Sequence, residues 1–287
     1  MLLAGCKTSD DAAAAASQMQ ATAQSLSDYY SGLQTILENT NQLYLLNQQL
    51  YSKPYPPENQ QLLENNEEEL AKRAALAGNF SSLAGEFAEL SRSSYPGEVA
   101  SSAMKLAGQV DTLAKLKVSS NEQSALKGAL QLLATAIQAH KEREAEKAMS
   151  ASVKALAELF ARETDAWNST EEVYSSVAST LANNLVDANA TDNSAMLRVA
   201  LDPFGLTPSM GSTETNTKLA PLAKQQIATK QKAMDENFQG ATQAMAQSLE
   251  EMGKRIDAVA ADKPLAFRVP PLSLATVEKW AAQVASY

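Results

Sequence analysis

The sequence predicts an all-α fold: an elongated bundle of long antiparallel helices meeting along coiled-coil-like seams. Three observations predict it. Alanine, the strongest helix former, accounts for 51 of the 287 residues, whereas Gly and Pro number only 11 and 10. The prolines fall at 54–57, 96, 203–221 and 264–271, and the Pro-free runs between them are candidate helices because Pro breaks helix interiors. Across those runs apolar residues recur in alternating steps of three and four, the spacing of heptad packing. Sandwiches, barrels and doubly wound sheets need β-branched strands and frequent Gly/Pro turns. Apolar residues make up 45% of the chain, but so much of that is Ala that the seams must be thin.

The first run, 10–52, opens on Ser9 or Asp10 as N-cap. Its seam reads Met19, Ala23, Leu26, Tyr30, Leu33, Leu37, Thr40, Tyr44, on a helix of roughly 65 Å. Ser52 to Glu58, with three prolines, ends it. The second run, 59–93, repeats the spacing at Leu76, Phe80, Leu83, Phe87 and Leu90. Its pairs Glu68/Lys72 and Glu69/Arg73 have the favourable i,i+4 order and predict a solvated outer face. A third run, 98–118, carries Val99, Ala103, Leu106, Val110 and Leu113.

Between Gly128 and Pro203 there is neither Gly nor Pro, so nothing there must end a helix. Capping-box spacings at Ser119–Gln123 and Ser169–Glu172 predict helices over 121–166 and 170–187, separate or fused. Leu126, Leu130, Leu133 and Ile137 form one seam; Val153, Leu156 and Phe160 form another. The charged stretch His140–Lys147 shifts the phase between them. A hairpin tip at 141–147 is the alternative to a continuous helix, but it lacks turn residues. Residues 188–220, rich in Asn, Asp, Ser and Thr, are expected as a long loop. Its apolar island of Met196, Leu197, Val199, Leu201, Phe204 and Leu206 predicts that it folds back onto the bundle. The last long helix, 221–262, runs through Ile227, Met234, Ala241, Met245, Leu249, Met252, Ile256 and Val259, which reads as core. An extended strap over 263–271 and a short helix at 273–286 bearing Trp280 complete the chain.

Charge and motif content exclude several functions. The net charge is −9 and there is no basic stripe of the kind nucleic-acid binding requires. No stretch is apolar over the roughly 20 residues of a membrane-spanning helix. The single Cys excludes an internal disulfide and a Cys-based zinc site. The single His, His140, lies among Lys141, Glu142, Arg143 and Glu144 and reads as part of a solvated helix face, not a catalytic base. Glu64 to Glu69 lacks the spacing and glycine of a calcium loop and reads as an acidic helix start. Glycine-rich phosphate motifs are absent. No catalytic residue, cofactor or metal is expected.

The Cys itself carries the one functional motif. Leu3-Ala4-Gly5-Cys6 resembles the lipobox of bacterial lipoproteins, in which an apolar residue and two small residues precede the acylated Cys. The resemblance implies cleavage before Cys6, lipidation there, and anchoring in a bilayer by more than one acyl chain. Met1-Leu2-Leu3 is shorter than the apolar region of a signal peptide, roughly 7–15 residues, so the remainder is expected upstream. Lys7 after the Cys resembles an outer-membrane sorting signal, which implies a periplasm-facing location. The chain is then organised as residual signal peptide (1–5), lipidated Cys and tether (6–11), bundle with its loop at 188–220 (12–262), and strap with short helix (263–287).

These readings converge on a membrane-anchored envelope lipoprotein acting as a non-enzymatic scaffold, spacer or adaptor. An envelope protein partner is expected at the first hairpin turn, where Tyr51 and Tyr55 flank prolines that hold the backbone extended. The alternatives are a ligand-binding protein or enzyme with its site at loop 188–220, and an α-helical pore-forming or membrane-remodelling protein, which would need a more apolar hairpin than any found.

Overall fold

A computed structural model describes residues 4–51, 57–90, 96–113, 120–209, 211–261 and 274–286. The helices among these residues are α1 (Ala4–Tyr51), α2 (Pro57–Leu90), α3 (Pro96–Val110), α4 (Ser120–Gln138), α5 (Glu142–Asp187), α6 (Arg198–Leu201), α7 (Thr213–Ala260) and α8 (Leu274–Val284). No strand occurs among the described residues, so the fold is all-α as expected. The expected strap at 263–271 lies outside the described residues. Helix α1 starts at Ala4, so the stretch read as a tether at 6–11 is helical. The side chain of Cys6 itself lies outside the described residues.

Two boundaries differ from the sequence reading, each for a physical reason, and the choice left open at 166–170 is decided. Helices α4 and α5 are separate, although nothing between them is Gly or Pro. His140 adopts φ 53°. Its N–H donates to the Ile137 carbonyl at 3.0 Å, and that of Lys141 donates to Ala136 at 3.0 Å. This is the Schellman closure of a helix, built on His in place of Gly, so the sole His is an exposed turn residue and not part of a helix face. Downstream, α5 runs unbroken through 166–170, fusing two expected helices. Helix α7 begins at Thr213 rather than 221, because Ser212 caps it: its Oγ accepts from the Thr215 N–H at 3.2 Å. Pro221 is therefore carried inside a helix, and the irregular connection is correspondingly shorter than 188–220.

The chain divides into two compact units. The first comprises residues 1–35, 64–168 and 239–287; the second comprises 36–63 and 169–238. In the first unit α1 and α2 are antiparallel, since Ser27 Oγ donates to the Ala74 carbonyl and Ser81 Oγ to that of Gln20, both at 2.9 Å. Helix α7 opposes α1 in the same way, through Tyr29–Thr242 at 2.8 Å and Gln18–Arg255. Helix α3 packs on α4. The seams read from the sequence are buried here: Met19, Ala23, Leu26, Tyr30 and Leu33 on α1, and Ala241, Met245, Leu249, Met252 and Ile256 on α7. Trp280 of α8 lies over Gly32, where an added Cβ would meet the indole at 2.8 Å, and its ring is 5.1 Å from that of Tyr29.

The pair Glu69/Arg73, read as solvated, is turned inward. Arg73 is 1% exposed, and its guanidinium binds Glu163 through two bonds, Nε–Oε2 at 2.7 Å and Nη2–Oε1 at 2.8 Å. Glu69 adds a third contact at 2.8 Å, and the Trp167 ring lies 5.2 Å away. Only Lys72 with Glu68 keeps the surface role. The Arg73 guanidinium would lose protons more readily through burial, but Glu163 outweighs this and holds it charged. Burial, and next the Glu163 charge, push the neighbouring Tyr30 phenol well above its ordinary value.

Removing one member of a buried pair leaves the other uncompensated. Arg73→Met should therefore cost about 3–5 kcal/mol in a denaturant melt. Adding Glu163→Leu should recover most of that loss, since an apolar replacement of a whole buried pair is often neutral. A separate expectation concerns the fully buried Ala241: Ala241→Phe should cost roughly 1–3 kcal/mol through overpacking.

Candidate functional site

Three solvent-facing features of the second unit are candidates for binding. The first is the end of the α1–α2 hairpin. Beyond Thr40 the α1 seam loses its cover: Tyr44 is only half-buried, and Leu45, Leu46, Leu50 and Tyr51 are exposed. Leu62 on α2 is 59% exposed. Residues 39–52 contain no charged side chain, unlike the rest of an acidic chain. Tyr51, expected as a partner residue, is exposed; Tyr55 lies outside the described residues.

The second feature is the connection from α5 to α7. Asn189 ends α5 with φ 54°, and the Ala190 N–H closes on the Leu185 carbonyl at 2.9 Å. Two polar side chains then fix the connection. Asp192 Oδ1 accepts the N–H groups of Ser194 (3.0 Å) and Gly211 (3.1 Å), and hydrogen bonding, from the Ser194 side chain first and then from these N–H groups, holds its carboxyl below the usual range. Asn216 Oδ1 accepts the Asn193 N–H at 3.0 Å, while Asn193 Nδ2 donates to the Asn216 carbonyl at 3.1 Å. Gly211 is required because a Cβ there would collide with the Asn216 amide. Short turns at Asn193–Leu197, α6 and Asp202–Phe204 follow, closed by Gly205 at φ 69°.

The apolar island in this connection does not fold back as expected. Val199, Phe204 and Leu206 are 88%, 78% and 56% exposed; Met196, Leu197 and Leu201 are half-buried. Turns this tight, with three residues per turn or fewer than two full helical turns, cannot aim six apolar side chains to one side.

The third feature is an open groove of about 420 Å³ between α5 and α7, lined at one end by Thr191, Asp192 and Asn193. Asp187 and Lys224 pair beside that end at 2.6 Å. Beyond the other end Glu171 of α5 meets Asp235 of α7. Glu171 is 4% exposed; burial first, and the adjoining Asp235 carboxylate next, push its carboxyl up to about 7. A like charge beside a carboxyl favours its neutral form. Sequence reasoning missed Glu171 and Glu163, although both continue the α5 seam, Phe160-Glu163-Trp167-Glu171-Tyr174, in steps of three and four.

Among the described residues no group of three or more His, Cys, Asp or Glu is placed to hold a metal ion, and no helix is long and apolar enough to cross a membrane. Comparison with protein-family models, with curated proteins and with solved structures finds no match. The class of protein defined here is therefore the fold alone: an all-α chain of two helical units.

The Glu171 proton has a measurable consequence. A carboxyl raised from 4.5 to about 7 on folding contributes its stability in full below the lower value and loses it as pH rises through the upper one. Glu171→Gln, which mimics the protonated form, should flatten that slope between pH 5 and 8. It should also raise stability at pH 8 by roughly 1–3 kcal/mol in urea melts. An unchanged slope in the variant assigns the pH dependence to other groups.

Proposed function

We propose that this chain is a bacterial envelope lipoprotein, anchored in a bilayer through acylated Cys6, that works as a non-enzymatic adaptor with its contact surface on the α1–α2 hairpin end. The observation that carries the adaptor role is the exposed set Leu45, Leu46, Leu50, Tyr51 and Leu62 on a stretch free of charge. Centres of protein interfaces are depleted of charge and enriched in Tyr, and contiguous exposed apolar side chains mark interaction surfaces. The anchor rests on the lipobox-like Leu3-Ala4-Gly5-Cys6. The outer membrane, facing the periplasm, is the location this reading favours, from Lys7.

Two measurements test it in a bacterium expressing the protein with a complete signal peptide. Cys6→Ala should move the protein from the membrane pellet to the soluble envelope fraction; its persistence in the pellet at unchanged yield overturns the anchor. The triple variant Leu46→Ser, Leu50→Ser, Tyr51→Ser should abolish capture of the envelope partner that the wild-type chain cross-links. Its melting temperature should stay within a few degrees of wild type, because surface substitutions change stability by about 0.5 kcal/mol or less. Capture that survives in the folded variant removes the hairpin end as the contact surface.

A further inference from the structure

The exposed leucines of α1 do not all belong to its core seam. At about 100° per residue, Leu43, Leu46 and Leu50 point within roughly 60° of one another and roughly 100–160° away from Tyr44. Asn39 falls on the same stripe, so Asn39, Leu43, Leu46 and Leu50 follow in steps of four, three and four. Leu46 and Leu50 are 44% and 47% exposed, and Asn39 and Leu43 are half-buried. This is the spacing along which two helices pair, and here it faces solvent. Outside this hairpin the exposed large apolar side chains of the other helices stand singly, as Met104, Leu132, Val173 and Leu222 do. Single ones are ordinary on a protein surface; a second spaced stripe on one helix is not.

The side chains around the stripe select its partner. Between Glu38 and Lys53 every residue is apolar, an amide, a hydroxyl or a tyrosine. Amides and hydroxyls both donate and accept hydrogen bonds, so each of these side chains can pair with another of its own kind. A carboxylate or an ammonium cannot. A surface for an unlike partner gains by carrying charge opposite to that partner's. A surface for an identical copy cannot, because near a two-fold axis the same patch meets itself. Each copy carries a net charge of −9, and this charge-free stretch is where two of them can approach without bringing like charges together.

The size of the stripe sets the strength of the contact. It runs over 39–50, roughly 17 Å at 1.5 Å per residue, which places it among the small interfaces of weak, reversible complexes. Helix α1 is already ordered along it, so pairing does not carry the cost of nucleating a helix.

We propose that the occupant of this face is a second copy of the chain, paired through Asn39, Leu43, Leu46 and Leu50 of α1 about a two-fold axis near Leu46. The proposal rests on the reading of the hairpin end as a contact surface and names its partner.

The test is analytical ultracentrifugation of the full chain, kept unlipidated and under reducing conditions so that Cys6 can neither anchor nor cross-link it. A reversible monomer–dimer equilibrium over the micromolar range is expected. Raising the salt from about 0.05 to 0.5 M should strengthen the dimer, because it screens the repulsion between two acidic copies. Leu46→Ser with Leu50→Ser should weaken it at least about tenfold at nearly unchanged melting temperature. Leu46→Lys and Leu46→Glu should each be monomeric alone, and an equimolar mixture of the two should dimerise. That rescue requires the same position to face itself across the contact, and it keeps the test intact should the double serine variant fail to fold. A wild-type chain that stays monomeric overturns the proposal; loss of envelope capture in the hairpin variant would then still stand for an unlike partner. A dimer retained by the folded serine variant, or a mixture of the lysine and glutamate variants that stays monomeric, overturns the stripe as the interface.

Discussion

The first unit is organised around the paired charge of Arg73 and Glu163. Each side chain is about 1% exposed, and neither can remain charged there without the other. Their two parallel bonds fix α2 against α5 in one register, because a slip by one helical turn of about 5.4 Å would leave both charges unpaired. The aromatic side chains close this off from water: Tyr30 and Trp167 meet edge to face, and Tyr29 bridges to Phe160 and Trp280. An Ala-rich seam alone specifies register weakly, since small side chains slide past one another with little change in contact. Here the polar pair supplies the specificity that the thin apolar seam lacks.

The second unit shows the opposite economy. Its helices continue from the first, with the same residue types at the same spacing, but fewer neighbours cover them. The α1 seam is buried as far as Thr40 and exposed from Leu45; the α7 seam is buried from Phe238 onward and half-open at Met234 and Ile227. Apolar side chains kept where nothing within the unit covers them form both the exposed hairpin end and the α5–α7 groove. The Glu171–Asp235 contact stands beside that groove, so α5 and α7 meet there through two carboxyl groups in place of a hydrocarbon seam.

The turns explain most of the boundary differences. His140 and Asn189 both take the left-handed conformation that usually marks Gly. Asn does so readily, and its position after Asp187 was consistent with a helix end. His in that role leaves no compositional trace, so a stretch without Gly or Pro concealed a complete reversal. Ser212 likewise outweighed Pro221: a side chain that caps the first free N–H groups sets the start of a helix, and a proline two turns further in costs one hydrogen bond without ending it.

The sequence by itself determined the helical class and the position of each seam, because helix propensity and heptad spacing are local properties of consecutive residues. Met19 to Thr40, Leu126 to Ile137 and Ala241 to Val259 are buried as their spacing requires. The inward positions of Arg73, Glu163 and Glu171 were equally present in the spacing, as Leu70-Arg73-Ala77-Phe80 on α2 shows. They were obscured because a charged residue on a seam also satisfies an i,i+4 surface pair, and only the facing helix decides between the two. Which stretches of seam find a cover was decided by tertiary structure alone. Coverage depends on how far each neighbouring helix extends and where it turns, through contacts between residues as distant as Tyr29 and Thr242. The apolar island at 196–206 shows the same limit, since its hydrophobicity was legible and its exposure was not: direction is set by the turns that Asp192, Asn216 and Gly205 impose, not by the residues that are turned.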